Sequence, residues 1–224
     1  MFDNLNTRSV TFNIIIINCL VLFASTFYGE KMYELFALFY PASPFFKPMQ
    51  LVTHMFMHGN IGHLFSNMFA LLMFGAVLER VWGPQRFLFF YFATGLGAML
   101  LHTAVQGWII HNYTGSFAPA MEVLGEYPAV IDMYRTPTVG ASGAIFGILI
   151  AFGTLWPNTE LMLLFFPVPI KAKYFVSLYV VWELYRGISM NPDDNVAHFA
   201  HLGGALFGFL LVKYWNRNNR NSLY

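Results

Sequence analysis

Charge is scarce in this sequence. Acidic and basic side chains make up only 10% of its 224 residues and hydrophobic types 57%, whereas a soluble globular domain carries roughly 25% charged residues. A chain this poor in charge cannot cover a water-facing surface, which excludes an ordinary soluble enzyme. Twelve Lys and Arg against eleven Asp and Glu leave no basic excess, so nucleic acid is not a partner. The single Cys19 builds no disulfide framework and, inside an apolar run, reads as a small packing residue. Two catalytic signatures are also missing. No H-E-x-x-H occurs, and the G-x-S-x-G nucleophile elbow fails because position 144 is Ala. Nor do paired, interrupted spans repeat along the chain, as a small-solute transporter would require.

What is abundant is apolar sequence in lengths that suit a bilayer. A crossing helix needs about 20 mostly apolar residues, because lipid offers its backbone no other hydrogen-bond partner. Runs over about 10–28, 60–78, 87–106, 139–155, 172–185 and 196–214 predict an all-α membrane protein, a single domain of six transmembrane helices over 1–224. The first run follows a mixed-charge start without a small-residue cleavage site and reads as a retained span. Residues 29–59 form an interfacial first loop, broken into amphipathic pieces by Pro41, Pro44 and Pro48. Residues 107–137 read as a second long loop. With both termini cytoplasmic, Arg8, Arg80, Arg86, Lys171, Lys173, Lys213, Arg217 and Arg220 lie inside, and only Lys31, Lys47, Arg135 and Arg186 outside; that bias sets the orientation.

Polar groups within spans are costly and therefore informative. In this topology the second, fourth and sixth helices all start on the outer side. Their first turns carry His63 and Asn67, Ser142, and His198 and His201, respectively. A serine hydroxyl becomes a nucleophile when a base takes its proton, and a neutral histidine is the usual base. Ser142 and His198 are the natural pair. The oxyanion formed on attack needs fixed donors. Backbone N–H groups at the start of the fourth helix supply some, and His63 and Asn67, at i and i+4 on one face, supply side-chain donors.

The three motifs resemble the rhomboid intramembrane serine proteases: G-A-S-G at 140–143, Ala197-His198 opening a Gly-rich last helix, and H-x-x-x-x-H-L-x-x-N from His58 to Asn67. The resemblance implies that Ser142 is the nucleophile and His198 the base of a dyad. It also implies an oxyanion site of His63, Asn67 and the Ser142 backbone N–H, with Gly140, Gly143 and His58 in support. It further implies cleavage of transmembrane protein substrates near the outer membrane face, without cofactor. Phe146 stands four residues after the serine, where rhomboids often place an aromatic under the catalytic histidine. Two departures accompany the match: Met49-Gln50 stands where many bacterial members have Trp-Arg, and His201 where Gly is common. A short chain with no appended domain suits a bacterial inner membrane.

Competing readings use the same residues. Gly140, Gly143 and Gly147 let helices approach closely whether or not Ser142 reacts. His54 with His58, and His198 with His201, have spacings that can ligate zinc, but the histidine-bearing spans contain no acid to complete a ligand set, and no metal site is expected. Asp193 and Asp194, with Asn195, read as a cap on the sixth helix rather than a third catalytic member. Trp108, Tyr113 and Tyr134 on the outer side, and Trp82, Trp156 and Trp215 on the inner, read as interfacial anchors. The alternative to a protease is a non-catalytic rhomboid-like protein that holds membrane clients. Such proteins usually lack the serine or the histidine, and this sequence keeps both.

Overall fold

The computed structural model describes residues 9–163, 166–189 and 197–218. It is a helical bundle with one small antiparallel strand pair. Helix α1 (Val10–Tyr28) starts at an Ser9 cap and is followed by the short α2 (Glu30–Phe36). The first loop then holds α3 (Gln50–Thr53) and a 3₁₀ turn, His54–Phe56. The next span is continuous but not uniform: α4 (Ile61–Ala70), a π-helical turn (Leu71–Gly75) and α5 (Ala76–Trp82). After it come α6 (Pro84–Thr114), the short loop helices α7 (Met121–Leu124) and α8 (Pro128–Arg135), and α9 (Ser142–Leu155). Strands β1 (Glu160–Leu163) and β2 (Phe166–Lys171) pair Glu160 with Lys171, and lead to α10 (Ala172–Ser189) and, beyond it in sequence, α11 (His198–Asn218).

Among the described residues three helices, Val10–Tyr28, Ile61–Trp82 and Pro84–Thr114, are long and apolar enough to cross a membrane, and α9 is a shorter apolar helix. Their exposed surfaces are apolar, as lipid requires: Leu20, Phe23 and Phe27 on α1, Phe65 and Met73 on the second span, Phe89 and Leu100 on α6. Cys19 belongs to that exposed face, which corrects its reading as a packing residue. The buried face of α1 carries Thr11, Ile14 and Asn18. Its N-terminus is clasped from a distance, since the Glu79 carboxylate accepts hydrogen bonds from Ser9 Oγ at 2.9 Å, Val10 N at 2.7 Å and Thr11 N at 2.9 Å. A carboxylate there satisfies orphan N–H groups and complements the helix dipole.

Helix α9 is the axis of the bundle and is buried on nearly every side, from Gly143 to Gly153, as a helix apolar all round should be. It is held between α6 and α11 by small residues. A Cβ at Gly143 would overlap Ala98, and one at Gly204 would run into the backbone of Gly143. One turn on, a Cβ at Gly208 would meet Gly147 Cα at 2.7 Å. The two helices therefore touch backbone to backbone through Gly143 with Gly204 and Gly147 with Gly208, the close approach that small residues permit in membranes.

Two long loops depart from the expected outline. Helix α6 continues past Gln106 to Thr114 because no proline interrupts it and Gly107 stays helical; it ends at Gly115, left-handed at φ +72°, whose N–H caps the His111 carbonyl at 2.8 Å. At about 1.5 Å per residue it is roughly 46 Å long, more than a bilayer core of about 30 Å, so its end projects into the following loop. That loop has its own core of Tyr40, Ile110, Leu124, Val130 and Tyr134. Tyr134 is only 2% exposed, so it is a core residue rather than an interfacial anchor; Trp108 and Tyr113 do remain exposed. Trp82 and Trp215 meet at 5.3 Å with Arg86 stacked 4.1 Å over Trp215.

In the first loop Gln50 is fully buried and acts as a hub. Its Oε1 accepts from Lys47 N at 3.0 Å and, at 3.4 Å, from Phe39 N, while its Nε2 donates to the carbonyls of Glu34 and Phe45 at 3.0 and 3.1 Å. Gln50, at a position where many bacterial members carry the Arg of a Trp-Arg pair, thus anchors this loop. The Gln50 carbonyl meets His54 Nδ1 at 2.8 Å, and the His54 carbonyl accepts from Gly140 N at 3.0 Å. Paired backbone bonds between Leu38 and Thr138 complete the link. The first loop therefore fixes the strand of chain that delivers Ser142.

Candidate active site

Ser142 is the first residue of α9, and the geometry around it follows from the glycine contacts. On α11, residues 201, 204 and 208 stand at i, i+3 and i+7 and share one face. Gly204 lies on Gly143 and Gly208 on Gly147, so the residue one turn before Gly204 must lie beside Ser142. That residue is His201, whose Nε2 is 2.8 Å from Ser142 Oγ. The expected pairing of Ser142 with His198 is corrected accordingly: His198 opens α11 one turn earlier, and the histidine bonded to the serine is His201.

His198 is instead on a carboxylate. Glu183, projecting from α10 and 3% exposed, places Oε2 at 2.6 Å from His198 Nδ1 and at 2.9 Å from His201 Nδ1. The carboxylate accepts an N–H from each ring. With its proton held on Nδ1, His201 presents the Nε2 lone pair to Ser142, the tautomer a general base requires. The His201 ring is also held flat against Phe146, with centroids 4.3 Å apart and planes 9° from parallel. The aromatic four residues after the serine thus stacks on His201. The carboxylate comes neither from the histidine-bearing spans nor from Asp193 and Asp194, but from the neighbouring helix α10. The signal was nonetheless present, as a lone carboxylate in an otherwise apolar run.

The residues expected to hold an oxyanion lie across from this line. The Asn60 side chain caps α4, accepting from His63 N at 2.8 Å, which sets His63 in the first turn and Asn67 one turn on, on the same face. Gly140 has φ +128°, a conformation suited to glycine. A Cβ there would sit 2.9 Å from His63 Nε2 and 3.6 Å from Ser142 Oγ, so the His63 ring covers Gly140 beside the serine. Asn67 is buried and its Nδ2 has no hydrogen-bond partner, a donor held ready for an acceptor. The first N–H groups of α9 have no intrahelical partner. His58 is fully buried and lies edge-on to His63, 4.9 Å between centroids, supporting that ring by packing. His102 Nε2 meets Thr138 Oγ1 at 3.0 Å, bracing the segment that leads to Ser142. The capping role read for Asp193, Asp194 and Asn195 lies outside the described residues.

Chemically, the arrangement is a serine, a base and a carboxylate in hydrogen-bonded series, with donors beside the serine. Glu183, His198 and His201 are also the one group of potential metal ligands among the described residues.

Comparison with known proteins agrees with this architecture. The Rhomboid domain profile matches residues 46–217. The chain is 36% identical over 155 residues to RHOMBOID-like protein 12, mitochondrial, of Arabidopsis thaliana, covering 69% of this chain and 43% of the relative. It is 28% identical over 166 residues to Rhomboid protein 1, mitochondrial, of Saccharomyces cerevisiae, covering 74% and 41%. It is 27% identical over 181 residues to Rhomboid-like protease 3 of Toxoplasma gondii, covering 81% and 57%. The chain thus spans less than two thirds of each of these relatives. The mitochondrial relatives correct the expected bacterial inner membrane and point to an organellar one. With a Rhomboid domain profile spanning most of its length, this chain belongs to the rhomboid family.

Proposed function

We propose that this protein is an intramembrane serine endopeptidase of an organellar membrane, cutting transmembrane protein substrates. The observation that carries the reading is the line Ser142 Oγ, His201 Nε2, His201 Nδ1, Glu183 Oε2, with contacts of 2.8 and 2.9 Å. Ser142 attacks the scissile carbonyl while His201 takes its proton, and Glu183 keeps the ring in the correct tautomer and stabilises the imidazolium that forms. The Ser142 backbone N–H, Asn67 Nδ2 and His63 receive the oxyanion. His201 then protonates the leaving amine, and water resolves the acyl-enzyme. Here the catalytic unit is a triad rather than a dyad, and its histidine is His201. The six helices α1, α4–α5, α6, α9, α10 and α11 act as spans, with both termini on the Lys- and Arg-rich side.

The test is labelling of the detergent-solubilised protein by a fluorophosphonate, alongside cleavage of fluorescent transmembrane substrates. Wild-type protein is expected to be labelled on Ser142 and to cleave, and Ser142→Ala to do neither. Unlabelled, inactive wild-type protein would move the reading to a client-binding member of the family that retains the serine for packing.

A further inference from the structure

Two histidines share the Glu183 carboxylate, and the serine chemistry needs only one of them. Glu183, His198 and His201 each offer a ligand atom within 4.8 Å of the other two, both Nδ1 atoms meet Glu183 Oε2, and all three residues are buried. Two imidazoles and a carboxylate, with a fourth position left for water, are a ligand set of open zinc sites. Zinc bonds of about 2.0–2.2 Å place tetrahedral donors about 3.3 Å apart. The contacts to Glu183 at 2.6 and 2.9 Å reach that spacing by opening roughly 0.4–0.7 Å, and the two histidine nitrogens, within 4.8 Å, by closing at most roughly 1.5 Å, shifts that rotations of side chains on two helices supply. His198 and His201, at i and i+3, share a face of α11, and Glu183 closes the set from α10. Imidazole nitrogens favour zinc over magnesium or calcium, which take oxygen ligands. The earlier objection to a metal here was the missing acid, and Glu183 removes it.

We propose that Glu183, His198 and His201 form a zinc site whose occupancy disables Ser142. The disabling half rests on the reading of Ser142 and His201 as the reacting pair; the binding half does not. A neutral imidazole carries one ring proton. With Glu183 accepting from Nδ1, that proton is on Nδ1 and Nε2 has the free lone pair. Zinc bonded to Nδ1 uses the lone pair there, and the ring proton resides on Nε2 instead, with no net proton released. Nε2–H then donates to Ser142 Oγ and cannot take its proton. The metal also takes the Glu183 oxygen that had fixed the tautomer. Zinc thus blocks the base without occupying the space a substrate needs.

The experiment uses untagged, full-length protein in detergent, freed of metal and titrated with zinc chloride against a chromophoric chelator. Wild type and Ser142→Ala are expected to bind one zinc per chain, and His198→Gln, which keeps bulk and a polar end, to bind at least tenfold more weakly. A sharp size-exclusion peak confirms that each variant is folded; if His198→Gln is not, His198→Asn replaces it. Fluorophosphonate labelling of wild type is expected to slow at least tenfold with zinc and recover with EDTA, while His198→Gln keeps its own zinc-free rate. Equal zinc affinity in wild type and the folded His198 variant, or labelling indifferent to bound zinc, would overturn the proposal. If wild type is unlabelled even without zinc, the protease reading fails, and zinc binding by Ser142→Ala still decides whether the site exists.

Discussion

The exchange of His198 for His201 is decided at the level of single side chains. His201→Ala should abolish labelling of Ser142, because the hydroxyl loses its base. His198→Ala should reduce it only about tenfold, since the loss leaves Glu183 with one hydrogen-bonded donor in place of two. Glu183→Gln should slow labelling by about 10²–10⁴-fold, because an amide can donate to Nδ1 and select the wrong tautomer. Second-order labelling rates of the three variants check the assignment, and a larger loss in His198→Ala than in His201→Ala would reverse it. Much of this site was legible in the sequence: Ser142 between glycines, and the His63 and Asn67 spacing. Which histidine meets Ser142 was not legible, because two Ala-His pairs, at 197–198 and 200–201, lie one turn apart. The discriminating pattern was His201 in register with Gly204 and Gly208, matching Ser142 with Gly143 and Gly147. Glu183 stands out in the sequence as a carboxylate in an apolar run, but its pairing with His198 and His201 needed tertiary structure, since nothing in the sequence tells which face of α10 is turned toward α11.

Between elements, the decisive contact is α9 against α11. Gly204→Ala places a methyl against the Gly143 backbone, which no rotamer change relieves, so it should destabilise the protein by about 1–3 kcal/mol and depress labelling by moving His201 away from Ser142. Gly59→Ala, whose added methyl meets nothing within 4 Å, is the matched control. Thermal unfolding in detergent and labelling rate read both effects, and equal melting of the two variants would contradict the contact. The first loop makes a separate prediction. Burial lowers the pKa of His54 to about 4 against a weaker opposing bond to the Gln50 carbonyl, and burial, aided by His63, lowers that of His58 to about 4 as well. Unfolded histidine titrates near 6.5, so between those values the unfolded chain binds more protons and stability rises with pH. The loop's contribution is complete above pH ~6.5 and is lost as pH falls toward 4, by at most about 3 kcal/mol per histidine. Melting temperature should therefore drop from pH 7 to pH 4.5, and less steeply in His58→Phe than in wild type. Apolar runs disclosed the helices, but the reach of α6 to Thr114 and the folded second loop were not legible. Both depend on where a breaker falls and on a Tyr40 to Tyr134 contact distant in sequence.

For the whole molecule, the chemistry has meaning only if Ser142 opens toward one side of the membrane. Ser142, His63 and His201 stand in the first turns of α9, α4 and near the start of α11, so they share a depth if those three helices run in one direction. The basic residues argue for that arrangement, because Arg80, Arg86, Lys171 and Lys173 lie at the far ends or in the connections on the opposite side. Glu122 on α7 and Glu160 on β1 are both exposed and belong to opposite faces in a six-span arrangement. In a Cys19→Ala background, Glu122→Cys and Glu160→Cys each give one thiol outside the lipid-facing helices. A membrane-impermeant maleimide applied to sealed, uniformly oriented vesicles should modify one of them and leave the other until detergent is added. Modification of both in intact vesicles would mean that α9 does not cross. The Ser142 end of the bundle would then open on the same face as the strand pair, and a substrate helix could not reach it from the side proposed here.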